Sequence, residues 1–253
     1  MLEVSLLGEQ VVRDGDGTVL VRSSRTLLLV AYLVLHAGSP QPRQRIAPLF
    51  WPDSTDDQAL TNLRRELHHL RGLLGEGTSL RVRTRDLCWQ DAPDCRVDVR
   101  EFERARAAAL AAERRGDAAA FLAHAGAALD HYRGEFLPGN GEDWAAEARS
   151  ALEQQCVDLL DRTVEVQARL GDPAAAVGLA RRRVQLRPLE EAGYRRLMEL
   201  QAGAGDRAGA VSTYHRCASL LERELGVAPD PLTRTTLNRV LARGGPPAAP
   251  GAA

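Results

Sequence analysis

Apolar residues alternate with polar ones over the first 22 positions and recur at close to 3.6-residue spacing over most of the remainder. The segments LEVSLLG (2–8), QVVR (10–13) and TVLVR (18–22) therefore predict strands. DGDG (14–17) supplies residues that tolerate positive φ in the turn between the last two. A helix is expected from a cap at Ser23 or Ser24 to Ala37, stopped by Gly38 and Pro40. Its almost unbroken apolar run, Leu27 to Leu35, predicts burial against several neighbours. PRQRIAPLFW (42–51) predicts a short helix with Ile46, Leu49 and Phe50 inward and Arg43 and Arg45 outward. Pro48 removes a hydrogen bond and clashes with the preceding turn, so that helix must bend or begin late.

The stretch WPDSTDDQALTNLRRELHHLRGLLG (51–75) has well-marked ends. Ser54 with Asp57 three residues on forms an acidic capping box, Asp56 and Asp57 complement the positive helix start, Arg71 sits near the finish, and Gly75 can terminate. At 100° per residue, Ala59, Leu63, Leu67, Leu70 and Leu74 gather on one side, while Gln58, Thr61, Asn62, Arg65, His68, His69 and Gly72 occupy the other. That polar side is either solvated surface or a surface that reads DNA. SLRVR (79–83) and LCW (87–89) then predict a basic hairpin. Strands, helix, short helix, capped long helix and hairpin is the order of a winged helix-turn-helix. In such a fold the third helix enters the major groove and the hairpin meets the backbone.

From Asp98 onward the pattern is helical: about 98–115, 117–132, 142–170, 173–187, 189–203, 207–225 and 230–243. Gly-Asp punctuates it at 116, 171 and 205. The last two are 34 residues apart, the tetratricopeptide period, and each is followed at the same offset by Ala-Val (176–177 and 210–211). Pro188 falls at the terminating proline of that repeat, whereas the last unit has Glu222 there. Such hairpins must stack to bury their apolar faces, and the groove between them could also hold a small molecule. The expected fold is mainly α with a small β part: a winged helix over 1–96, an all-α tetratricopeptide-like domain over 97–243, and a disordered tail over 244–253.

Composition narrows the chemistry. All 33 basic residues are arginine, which removes every reaction that needs an ε-amine. Net charge is -1, with 12 Arg against 12 Asp and Glu before Val97 and 21 against 22 after it, so any nucleic-acid surface must be a local patch. Cys88, Cys95, Cys156 and Cys217 are scattered without C-x-x-C and read as thiols in a reducing cytoplasm; no zinc, metal or other cofactor is expected. The adjacent His68 and His69 diverge by about 100° and lack a third ligand at suitable spacing. The longest apolar run, nine residues, is too short to span a membrane, so a cytoplasmic protein is expected. No G-x-S-x-G, H-E-x-x-H or G-x-x-x-x-G-K-[ST] occurs, so no catalytic residue is assigned.

Two sets of motifs add a resemblance. LFWPDSTDDQALTNLRRELHHLRGLLG resembles the DNA-binding module of the actinobacterial antibiotic regulatory proteins, matching at Trp51-Pro52-Asp53, Ala59, Asn62-Leu63-Arg64 and Leu70-Arg71 to Gly75. VDVREFE (97–103), YRGEFLPG (132–139) followed by Trp144, RPLEEAGYRRLM (187–198) and ERELGVAPDP (222–231) resemble the bacterial transcriptional activator domain. Pro48 and the absence of net positive charge in the first half depart from that family. The resemblance implies an activator of a secondary-metabolite gene cluster that binds double-stranded DNA at promoter direct repeats, dimerises at least on DNA, and engages RNA polymerase. The chain would be a small member or the front part of a larger regulator. Thr61, Asn62, Arg64, Arg65, His68, His69 and Arg71 are the expected readers on the helix, with Arg43, Arg81, Arg83 and Arg85 on phosphates. The competing reading is a tetratricopeptide-like interaction module that has lost DNA binding.

Overall fold

The computed structural model describes residues 1–22, 25–74, 79–93 and 95–242. The expected Ser23 or Ser24 cap, the Gly75 terminator and the tail from 244 lie outside them. Elements follow in the order β1 (Leu2–Ser5), β2 (Val11–Arg13), β3 (Val19–Arg22), α1 (Arg25–Leu35), β4 (Gln41–Pro42), α2 (Arg43–Phe50), α3 (Asp56–Leu74), β5 (Leu80–Val82), β6 (Asp86–Trp89) and β7 (Cys95–Val97). The helices α4 (Asp98–Arg114), α5 (Ala118–His131), α6 (Asp143–Leu170), α7 (Pro173–Leu186), α8 (Glu191–Gly203), α9 (Arg207–Leu225) and α10 (Pro231–Ala242) complete the described chain. It is mainly α with a small β part, a winged helix-turn-helix followed by tetratricopeptide-like hairpins. None of the described helices is long and apolar enough to cross a membrane.

Compactness divides the chain into Met1–Glu153 and Gln154–Ala253, a break that falls within α6. The first unit extends so far because its N-terminal sheet, ordered β3-β2-β1-β7, pairs β1 in parallel with β7, directly ahead of α4. Asp98, at the start of α4, accepts from the Leu6 N–H at 2.8 Å, the Leu7 N–H at 2.9 Å and the Val99 N–H at 2.8 Å. The segment after α5 then closes on the same strand end, with Gly8 N–H donating to Glu135 O and Leu137 N–H to Leu6 O, both at 2.9 Å. A Cβ on Gly134 would stand 2.8 Å from Gly8 Cα, so the two backbones meet where no side chain fits. Leu137 itself adopts φ of 47°, and Arg149 holds that loop by donating to the carbonyls of Phe136, Leu137 and Asn140, each at 2.8 Å.

The Gly-Asp punctuation has a single physical explanation. Gly116, Gly171 and Gly205 take φ of 72°, 80° and 84°, the left-handed conformation that ends one helix. Each following aspartate caps the next: Asp117 accepts from Ala120 N–H and Asp172 from Ala175 N–H at 3.0 Å, and Asp206 from Gly209 N–H at 2.8 Å. In the second unit α8 packs against α7, α9 and α10, with Val164, Ala176, Ala180, Tyr194, Leu197, Cys217 and Leu221 in a common core. The four cysteines are buried and stand outside any disulfide.

Candidate nucleic-acid interface

The long helix α3 is anchored as its periodicity predicts. Ala59, Leu63, Leu67 and Leu70 are buried, and over 19 residues the helix reaches roughly 28 Å. Its start differs from expectation. Ser54 is drawn into a turn by its N–H bond to Trp51 O, and Thr55 becomes the cap, its hydroxyl accepting from Gln58 N–H at 3.4 Å. The short helix before it begins at Arg43 and contains Pro48, so it does not begin late. An aromatic cluster braces it: Tyr32 meets Phe50 and Trp144 edge-on at 5.9 and 5.5 Å, and the Arg25 guanidinium lies over the Trp51 ring at 5.5 Å.

The opposite flank of α3 carries Thr61, Arg64, Arg65, His68, His69 and Arg71, all exposed, and a half-buried Asn62. Gln58 donates to Asn62 Oδ1 at 3.2 Å, which leaves the Asn62 amide NH2 able to donate. Thr61 spends its hydroxyl on the Asp57 carbonyl at 2.9 Å. The acid in mid-helix, Glu66, turns inward and accepts from the buried Thr26 hydroxyl of α1. Glu66 is thereby withdrawn from the cations of the flank, none of which is in an ion pair among the described residues.

In the neighbouring hairpin, Leu80 pairs with Trp89 and Val82 with Leu87, placing the apolar side chains on one face and Arg81 on the other. Arg83 and Arg85 stand exposed at the turn. Among the described residues, Arg64, Arg65, Arg71, Arg81, Arg83 and Arg85 form no ion pair and no side-chain hydrogen bond.

Folding brings three of the sequence-selected arginines to one place. Arg43 at the start of α2, Arg64 of α3 and Arg85 of the hairpin line a groove of about 640 Å³, together with Gln44, Thr84 and Asp86. Arg43 is half-buried with its Nε enclosed and unbonded, unlike the outward residue expected, and Asp86 Oδ1 is likewise enclosed without a partner. Burial, and behind it the cations of Arg64 and Arg71, lowers the Arg43 guanidinium below its ordinary value, with Asp86 opposing. It stays charged at any physiological pH. Such a concentration of like charge is relieved by an anion. Arg45 points elsewhere, into a separate groove with Tyr32, His36 and Trp144, so the two arginines of α2 do not act together. Gln44 and Thr84 escaped sequence reasoning because neither belongs to a periodic pattern.

The sequence profile of the bacterial transcriptional activator domain matches residues 97–241. The chain belongs to the bacterial transcriptional activator domain family. Over 248 residues it is 26% identical to the regulatory protein AfsR of Streptomyces griseus, covering 95% of this chain and 24% of that protein. Its fold matches that of Mycobacterium tuberculosis EmbR, solved in complex with a low affinity phosphopeptide. The TM-score is 0.73 at 21% identity, over 96% of this chain and 65% of that one. The chain thus spans only part of each of these relatives. A bacterial transcriptional activator domain behind a winged helix is also the arrangement that the resemblance to the antibiotic regulatory proteins implies.

Proposed function

We propose that the chain is a sequence-specific DNA-binding activator of a secondary-metabolite gene cluster. It lays α3 in the major groove of promoter direct repeats, sets the β5–β6 hairpin on the adjoining backbone, and engages RNA polymerase through its helical domain. The observation that carries this reading is the run of uncompensated guanidinium groups on α3 and the hairpin, beside the Arg43, Arg64 and Arg85 groove. Base edges demand bidentate donors and acceptors, which Arg65, Asn62, His68 and His69 offer. Phosphates demand localised positive charge, which Arg43, Arg64, Arg71, Arg81, Arg83 and Arg85 supply. Thr61 completes the flank. Direct repeats would seat two copies side by side, so a dimer forms at least on DNA.

A mobility-shift titration on the chain's own upstream region tests it. The intact chain should retard that DNA with log Kobs falling as log salt rises, by about 0.9 per phosphate neutralised. The double variant Arg65→Ala/Arg83→Ala should lose most of the affinity. Binding indifferent to that pair overturns the residue assignment, and failure to bind any cluster promoter overturns the function.

A further inference from the structure

We infer that the groove between α7 and α9 is a docking site for an acidic, apolar-containing segment of a partner protein. Both helices pack on α8 and leave between their outer flanks a groove of about 420 Å³. Its floor is apolar, made by the buried Val184 and Tyr194 and the half-buried Leu220. Tyr194 spends its hydroxyl on the Pro188 carbonyl at 3.0 Å, so what it offers the groove is its ring. Arg181, Arg216 and Arg223 stand exposed around that floor, and no carboxylate lines it. Arg223 has one nitrogen on Glu224 at 2.8 Å, while Arg181 and Arg216 have neither ion pair nor side-chain hydrogen bond among the described residues.

The contrast with the arginines close by identifies the occupant. Arg183, two residues from Arg181, is buried and held by Glu190 at 2.7 Å and Asp161 at 3.4 Å; Arg196 of α8 is held by Glu165 at 2.8 Å. In a chain with 34 acids to 33 arginines, carboxylates are not scarce, yet this groove lacks one of its own. A matching ligand places carboxylates on the rim and an apolar side chain between them. A nucleic acid satisfies only the rim, since the groove's single aromatic is buried in the floor and gives bases no stacking platform. A neutral apolar helix satisfies only the floor. An acidic peptide with an apolar anchor satisfies both, and the pairing is short-range enough to be specific as well as salt-sensitive. This surface shares no residue with the α3 flank, so the inference stands or falls independently of DNA binding.

Selection of a random peptide library on the intact chain decides it. The expected result is enrichment of sequences with aspartate or glutamate around a large apolar residue. The best of them should bind the variant Arg181→Glu/Arg216→Glu at least about tenfold more weakly. Both positions are exposed and unpaired, so the variant should melt with the parent, and it should shift promoter DNA as the parent does. Retention of no peptide, enrichment without acidic bias, or equal binding to the charge-reversed variant would each overturn the proposal. A selected peptide whose substitution of glutamine for glutamate leaves affinity unchanged would do the same.

Discussion

The arginines of α3 and its hairpin and those at the start of α4 are the same residue put to opposite uses. Arg100 bonds Asp91 at 3.1 Å and Glu103, and Arg104 bonds Glu101 at 2.7 Å and reaches Asp91 at 3.4 Å, so two cross-links join a loop to the helix and two more run along the helix itself. Desolvation is outweighed there by the facing charges: Asp91 sits below the ordinary carboxylate range and Arg100 above the ordinary guanidinium range. Among the described residues, Arg64, Arg65, Arg71, Arg81, Arg83 and Arg85 have no such partners, and Arg43 in their midst has its guanidinium driven down. Net charge conceals this difference. A half-chain that balances in sum can still segregate its cations onto one flank when its acids are turned inward, as Glu66 is, or consumed elsewhere, as Asp91 is.

The comparison predicts that arginines with partners govern stability and those without govern affinity. The largest effect is expected at Arg149, which satisfies three carbonyls of the loop that holds Leu137 at positive φ. Arg149→Ala should lower the unfolding free energy by about 3 kcal/mol in urea denaturation, through acceptors left unpaired. Next, Arg65→Ala/Arg83→Ala should weaken promoter binding by about 100-fold, on the order of 1–3 kcal/mol for a lost base contact plus a phosphate contact. Its unfolding midpoint should stay at the parental value. A double variant that melts early would break the division between the two groups.

Asp98 sharpens the comparison from the acid side, since its hydrogen bonds come from backbone N–H groups. Burial pushes its carboxyl up to about 6, against the pull of the Leu6, Leu7 and Val99 N–H groups and the more distant Arg133 cation. A folded-state value above the unfolded one means the native state holds the extra proton. Stability from this group is therefore full below about pH 4 and is lost as pH rises through 6. Between pH 7 and pH 5 the parent should gain about 1 kcal/mol relative to Asp98→Asn, read from the pH dependence of the urea midpoint. The smallest effect belongs to Arg104→Gln. This more exposed member of the α4 network should cost about 0.5 kcal/mol or less, and high salt should erase the difference.

The helices were legible because their ends are written chemically, in Gly-Asp pairs, prolines and periodic leucines. Thr55 displaced Ser54 as a cap only because the residues before it close a turn on Trp51, a tertiary preference invisible to a four-residue motif. β4 and β7 were not legible. Strands of two and three residues have no period to detect, and β7 exists because β1, far away in sequence, offers it an edge. The flank of α3 could be drawn on a helical wheel. The Arg43, Arg64 and Arg85 groove could not, since it joins two helix faces and a hairpin turn. Nor could the inward commitment of Glu66, which depends on Thr26 of another helix.

The backbone contact between Gly8 and Gly134 bears on how regulators of this architecture can be recombined. A chimaera that grafts residues 1–96 onto a foreign helical module needs two features from the recipient: a bare Cα opposite Gly8 and a carboxylate that can receive the amides of Leu6 and Leu7. Without them the transplanted segment keeps every side chain of the α3 flank and loses its footing. The portable cassette is accordingly 1–153, and the α3 flank is better altered by resurfacing it in place than by exchanging modules at the seam.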